Sequence, residues 1–260
     1  MLKIPAFAGM TITLNHPMPK QSKTKRILKI IGGIIIFLTL PTLLFFGFMY
    51  LKYNEDLPTG QQGAEADALA TQMLEALNEE AYLNTDYIEW TFKDVHHYKW
   101  YKTDKSVEVS WDDMTVILDL KNKEQSKVFA GQQEYNGTEK QDYINKAERY
   151  FNNDSFWLVA PYKVFDAGTE RRLVTSEDGK DALLVTYTSG GNTPGDSYLW
   201  HLDANGKPKS YQMWVDILPI GGLEATWEGW TTTASGVQLP TFHKMLVFDL
   251  DITNVKGLSF

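Results

Sequence analysis

From Ile30 to Leu51 the chain reads "IIGGIIIFLTLPTLLFFGFMYL", a run with no charged residue. An α-helix needs roughly 20 such residues to cross about 30 Å of hydrocarbon, so the run predicts a transmembrane helix over 30–51. It is longer than the roughly 7–15 apolar residues of a signal-peptide core, and no small-x-small cleavage site follows directly, which predicts an uncleaved anchor. Pro41 is compatible with such a helix because its freed carbonyl can be satisfied locally. Residues 52–63, containing "NEDLPTGQQG", lose all periodicity and read as a linker. From Ala64 the apolar positions Leu69, Met73, Leu74, Leu77 and Ala81 return at helical spacing, predicting one amphipathic helix.

After Asn84 the period falls to two. In "DYIEWTFK" the residues Ile88, Trp90 and Phe92 share one face, and "SVEVSW" repeats the pattern with Val107, Val109 and Trp111, as half-buried antiparallel strands do. "MTVILDL" and "SKVFAG" continue it, followed by a second helix over 138–151 with Tyr143, Ile144, Ala147, Tyr150 and Phe151 on its buried side. The remainder reads as hairpins: "RRLVTS", turn "EDGK", "DALLVTYT", loop "SGGNTPG", "SYLWHLD", turn "ANGK", "PKSYQMWVDI", "GLEATWEGWTTT" and, as one strand, "TFHKMLVFDL". Gly and Asn stand where the turns want positive φ. One helix before a run of strands and one inserted in it predict an α+β domain over 64–260, built on a strongly curved antiparallel sheet.

Charge divides the chain at the apolar run. Lys20, Lys23, Lys25, Arg26 and Lys29 precede it and Lys52 follows, so the positive-inside bias assigns residues 1–29 to the cytoplasm and the rest to the far side. Residues 1–17 match the remainder poorly and read as dispensable, with Met18 opening a more ordinary start. Seven of the 25 basic and two of the 33 acidic residues lie before residue 60; the 18 and 31 beyond it give a formal charge of −13. So acidic a domain disfavours nucleic acid, whose binding rests on neutralising phosphates with Lys and Arg. With no cysteine, lipidation, disulfides and thiol chemistry are excluded.

Candidate chemistry is sparse. His96 and His97 are neighbours and on a strand would point to opposite faces, so a metal site would need Asp94 or His201 from elsewhere; no metal is expected. There is no G-x-S-x-G elbow around Ser189, and the glycines make no phosphate- or dinucleotide-binding pattern, so no cofactor and no catalytic residue is assigned. Asp249 and Asp251 alternate on one face and read as solvated. The aromatic inventory says more. All eight tryptophans follow the apolar run, mostly inside predicted strands and with methionines among them. Trp90, Phe92, Trp111, Phe156, Trp157, Trp200, Met213 and Trp227 are the candidate lining of an apolar concavity, aromatics supplying area and Met adaptability.

The segments "EADALATQMLEALNEEA" and "IEWTFKDVHHYKWYKTDKSVEVSWDDMTVILDL", with "NDSFWLVAPYKVFD" after the second helix, resemble the LolA/LolB-like lipoprotein-carrier superfamily over residues 64–250. The resemblance rests on order and pattern. It implies an unclosed β-barrel, lined with apolar side chains and covered by helices, that holds acyl chains. In it Phe156, Trp157 and Leu158 would anchor a crossover from helix to sheet ended by Pro161, with Asp154 and Ser155 as capping or turn residues. The chain departs from those carriers in having an apolar anchor and no lipidatable cysteine.

These readings predict a non-enzymatic, single-pass inner-membrane protein whose periplasmic domain binds a lipid, a lipoprotein acyl chain or another amphiphile. Two alternatives stay open: an envelope adaptor that binds another protein, with a filled interior and an outer apolar patch, and a hydrolase, with a polar cleft joining His96, His201 or Asp251 to a partner.

Overall fold

The computed structural model describes residues 23–175, 179–189 and 194–260. Residues 1–22, and with them the expectation about 1–17, lie outside the described residues, as do parts of the predicted turns "EDGK" and "SGGNTPG". The chain divides into two units between Met49 and Tyr50. Helix α1, Lys23–Tyr53, is long and apolar enough to cross a membrane, with Pro41 inside it.

In the unit Tyr50–Phe260, helices α2 (Ala64–Ala76) and α3 (Glu79–Leu83) precede strands β1 (Tyr87–Phe92), β2 (His96–Tyr101), β3 (Ser106–Trp111), β4 (Met114–Asp119), β5 (Lys127–Ala130) and β6 (Gln133–Glu134). Helix α4 (Lys140–Val159) follows, and then β7 (Thr169–Thr175), β8 (Asp181–Tyr187), β9 (Ser197–Leu202), β10 (Pro208–Trp214), β11 (Leu223–Thr226), β12 (Thr231–Thr232), β13 (Gln238–Leu239), β14 (Phe242–Met245) and β15 (Phe248–Leu258). Among the described residues thirteen strands form one antiparallel sheet in the order β6-β5-β4-β3-β2-β1-β15-β14-β11-β10-β9-β8-β7, while β12 and β13 pair separately. The sheet does not close, and its edges are β6 and β7.

The curvature follows from α4. Its Tyr150 meets Trp111 of β3 with ring centroids 5.5 Å apart, and its Phe156 meets Tyr187 of β8 at 5.7 Å. Six helical residues rise about 9 Å, whereas β3 and β8 stand eight strands apart in the sheet order, about 38 Å if the sheet were flat. The sheet therefore curls around the helix. The inward set at alternate positions, including Ile88, Trp90 and Phe92 on β1 and Val107, Val109 and Trp111 on β3, joins residues of α2 and α4 in one core. A smaller cluster of Val174, Ala182, Leu184 and Leu199 packs separately with Trp214.

Four elements differ from the expected ones. The first soluble helix breaks after Ala76, because Asn78 takes a left-handed φ of 59° and its side chain accepts a hydrogen bond from the Ala81 amide, starting α3 afresh. Residues 54–62 are no free linker: Glu55 N donates to Gly221 O at 3.0 Å, and Gln61 and Leu173 exchange backbone hydrogen bonds of 2.9 and 2.8 Å across the edge of β7. The run "TFHKMLVFDL" is a hairpin, turning at Leu246 with φ 54°. The strand that leaves it, β15, pairs with β1 and so joins the two halves of the sheet. Finally, α4 runs eight residues past the predicted end at Phe151 and passes into a 3₁₀ turn, Ala160–Lys163. Pro161 sits at the start of that turn, where a missing N–H costs nothing, and so opens the passage toward β7 rather than ending the crossover as the resemblance implies.

Candidate functional site

The face that curls around α4 gathers all eight predicted lining residues into one core. Trp90 and Trp200 are fully buried, as in practice are Phe92, Trp111, Met213 and Trp227. Phe156 and Trp157 are half-buried, packed on that core from the last turns of α4. The strand period puts six of them inward, and the helical period puts the other two opposite.

Their contacts fall into two neighbourhoods. In the first, Trp90 stacks on Tyr98 with centroids 4.5 Å apart and meets Phe151 at 6.2 Å. In the second, Trp157 faces Tyr211 at 5.6 Å and His243 at 5.2 Å, Trp227 meets His243 at 4.6 Å, and Trp200 meets Trp227 and Tyr211, each at 5.0 Å. Beside it Phe156 lies 4.6 Å from Tyr198. Such aromatic pairs add about 0.5–1.5 kcal/mol each beyond the area they bury.

The second neighbourhood is apolar in shape yet carries unpaired polar atoms. Among the described residues, Trp200 Nε1, Trp227 Nε1, His243 Nε2 and Tyr187 Oη are buried without a hydrogen-bond partner, as is Trp90 Nε1 in the first. His243 Nδ1 lies 2.8 Å from the Thr226 carbonyl oxygen. Burial pushes its imidazole down to about 4, opposed only in part by the backbones of Thr226 and Trp157, so at neutral pH the ring is uncharged. Burial likewise raises the Tyr211 hydroxyl well above the ordinary tyrosine range.

The first neighbourhood contains a polar cluster that sequence reasoning missed. Asp154, expected as a cap or turn residue, lies inside α4 and is 2% exposed. Its Oδ2 stands 2.7 Å from His96 Nδ1 and accepts the Tyr98 hydroxyl at 2.6 Å, and its Oδ1 accepts from Asn153 Nδ2 at 2.8 Å. Burial first, and then the Asp154 charge, raise the Tyr98 hydroxyl far above its usual range, so it stays a donor. The His96 ring stacks on Tyr150 at 3.9 Å. The signal for this cluster was spacing: from Ile144, Ala147 and Phe151 the next inward helical positions include Asp154. Ser155, also buried, was misread for the same reason.

The other histidines stand apart from it. His97 points to the opposite face from His96, 3.0 Å from Thr91 Oγ1, and His201 is 3.1 Å from Gln212 Oε1. Asp249 and Asp251 are exposed beside the buried Leu250 and Ile252. Among the described residues no three of His, Asp or Glu are placed to hold a metal ion. Two open clefts, of about 340 and 470 Å³, are lined by residues outside the predicted eight; the first involves Lys52, Tyr53, Lys244 and Leu246, the second Leu69, Gln72, Leu202 and Lys209.

No protein-family model and no curated protein matches the chain. Among solved structures it is similar to a DUF1329 family protein from Desulfovibrio piger ATCC 29098, at 10% identity over 74% of this chain and 92% of that one, with a TM-score of 0.39. It is also similar to a putative outer membrane lipoprotein-sorting protein domain from Vibrio parahaemolyticus, at 10% identity over 72% of this chain and 93% of that one, with a TM-score of 0.36.

Proposed function

We propose that the chain is a membrane-anchored, non-enzymatic binding protein of the cell envelope, whose curled sheet takes up a lipid, a lipoprotein acyl chain or a similar amphiphile beneath α4. On this reading α1 is an uncleaved single-pass anchor in the inner membrane, the part before it is cytoplasmic and the sheet faces the periplasm. The observation that carries it is the second aromatic neighbourhood. Trp157, Trp200, Trp227, Tyr211 and His243 form a buried aromatic cluster under the end of a helix, with polar atoms left for a ligand's own donors and acceptors. Each buried unpaired group costs about 1–3 kcal/mol, and an amphiphile that displaced Trp157 and paired those atoms would recover part of that cost. Apolar ligand area buried at roughly 25 cal/mol per Å² would add affinity.

The test uses a soluble form beginning at Tyr53, which keeps the contacts of Asn54 and Glu55 with the sheet, isolated from an envelope fraction without detergent. Native mass spectrometry with lipid extraction is expected to find bound phospholipid or acylated peptide, lost in a folded Trp157→Glu variant. A protein that emerges empty and ignores added lipids would sink the proposal. It would favour the adaptor reading, which the mutual packing of the buried Trp200 and Trp227 also supports as an ordinary filled core.

A further inference from the structure

The chain leaves α1 at Tyr53 beside two turns at one end of the sheet. Asn54 Oδ1 accepts the Gly221 amide at 3.0 Å, Glu55 N donates to Gly221 O at 3.0 Å, and Trp214 Nε1 donates to Glu55 O at 2.8 Å. The approach is close: a Cβ on Gly221 would stand 2.9 Å from Glu55 O, and one on Gly222 would stand 2.7 Å from Glu55 Cβ. The β10–β11 turn, residues 215–222, is thereby held against the exit of the chain. The 340 Å³ cleft lined by Lys52, Tyr53, Lys244 and Leu246 brings in the β14–β15 turn as well.

Both turns carry exposed apolar side chains. Val247 is 84% exposed, Ile217 72%, Phe248 59% and Leu246 36%. Single exposed apolar residues are ordinary, but turns are usually polar and occupied by Gly, Asn or Asp. Here three large apolar residues in succession form a hairpin tip, and Leu246 takes the left-handed φ of 54° that Gly or Asn would adopt more easily. The cleft behind the tip mixes Lys52 and Lys244 with Glu55 and Glu224, so no basic patch draws it to a surface, and the apolar tip itself must supply the attraction.

We propose that the hairpin tip Leu246–Phe248, together with Ile217, seats in the headgroup–acyl boundary of the bilayer that α1 enters, so that this end of the sheet lies on the membrane. The occupant is a lipid surface because the β10–β11 turn is tied to residues 54–55 and Leu246 of the β14–β15 turn lines one cleft with Lys52 and Tyr53, within a few residues of the apolar run 30–51; a chain entering hydrocarbon there brings both turns to the interface, where apolar side chains with a polar flank are favoured. The inference rests on the anchor in the function proposed above, and not on what the sheet binds.

The chain has no cysteine, so single labels can be placed at will. The full chain carrying Val247→Cys, labelled with an environment-sensitive fluorophore, is reconstituted into phosphatidylcholine vesicles with and without shallow nitroxide lipids. A second preparation carries Asn205→Cys on the exposed turn at the other end of β10. The Val247 label is expected to emit at shorter wavelength and to be quenched at least twofold by the nitroxide lipids, and the Asn205 label to remain unquenched. Equal, weak quenching at both positions in protein that resists alkaline extraction would overturn this inference alone. Protein released by alkali would overturn the anchor, and this inference with it. A Val247 label shielded from an aqueous quencher yet untouched by nitroxide lipid would mean a protein covers the tip, and would also overturn it.

Discussion

On the side of β2, α4 is held by Asp154, whose oxygens reach His96, Tyr98 and Asn153 at 2.6–2.8 Å. On the side of β10, β11 and β14, the same helix presents Trp157 to Tyr211 and His243 through ring contacts, and Trp200 Nε1, Trp227 Nε1 and His243 Nε2 beneath have no hydrogen-bond partner among the described residues. One flank is a directional clamp whose groups are satisfied. The other is a broad aromatic contact that forgives displacement, because dispersion and area burial do not depend on one bond angle. Past Trp157 the chain is held mainly by burial, with Leu158, Val159 and Ala160 at most 1% exposed, and by the Tyr162 hydroxyl, which donates to the carbonyls of Leu77 and Gln238.

Removing the aromatic flank is expected to have the largest effect. Trp227→Ala empties a fully buried volume and should cost about 4 kcal/mol in chemical denaturation. If the loss stays below about 1 kcal/mol, that flank already contains yielding space and the ligand route is more open than the packing indicates.

Breaking the clamp comes next. Asp154→Ala leaves the Tyr98 hydroxyl and the His96 ring without their buried partner, and should cost about 3 kcal/mol. Asp154→Asn, which keeps an acceptor of the same shape, should cost less than half of that. Equal losses in the two variants would show that the charge rather than the hydrogen bonding secures α4.

Acid should act on the aromatic flank through His243. Its folded value of about 4 lies below the ordinary histidine value of about 6.5, so between the two the unfolded chain binds more protons. Stability therefore falls as pH drops from about 6.5 toward 4, by up to about 3 kcal/mol, and this contribution levels off below that. His243→Phe should flatten that limb of the profile measured by thermal or denaturant melts. An unchanged slope would assign the acid sensitivity to other groups.

The smallest effect is expected at an ion pair midway along α4. Lys123 pairs with Glu148, and Lys123→Ala should shift stability by less than about 0.5 kcal/mol, as for other exposed ion pairs. A larger loss would mean that the first half of the sheet holds α4 by more than the Asp154 clamp.

The periodic elements were legible because the residues that form them repeat. Ile88, Trp90 and Phe92 alternate with Glu89 and Thr91, and their faces follow from the pleat alone. That the eight large apolar side chains from Trp90 to Trp227 pack inward was legible in the same way. Asp154 was hidden because a carboxylate inside a helix has no distinguishing local pattern; its meaning depends on His96 and Tyr98, more than fifty residues away. His243, one tolerable polar position in the run "TFHKMLVFDL", was hidden for the same reason. That run looked continuous because Leu246 and Val247 are good strand residues, and only the pairing of β14 with β15 bends it.

What the sequence determined by itself was local and periodic: an apolar run able to span a membrane, an α+β order, alternating strands, and an acidic chain without cysteine. Each of these depends on residues within a few positions of one another. Tertiary structure alone decided that β15 joins β1, that residues 54–61 strap onto the sheet, that Asp154 becomes a buried clamp, and that Trp157 faces His243. Those outcomes turn on contacts between distant segments, whose loop-closure cost and packing gain no short window of sequence contains.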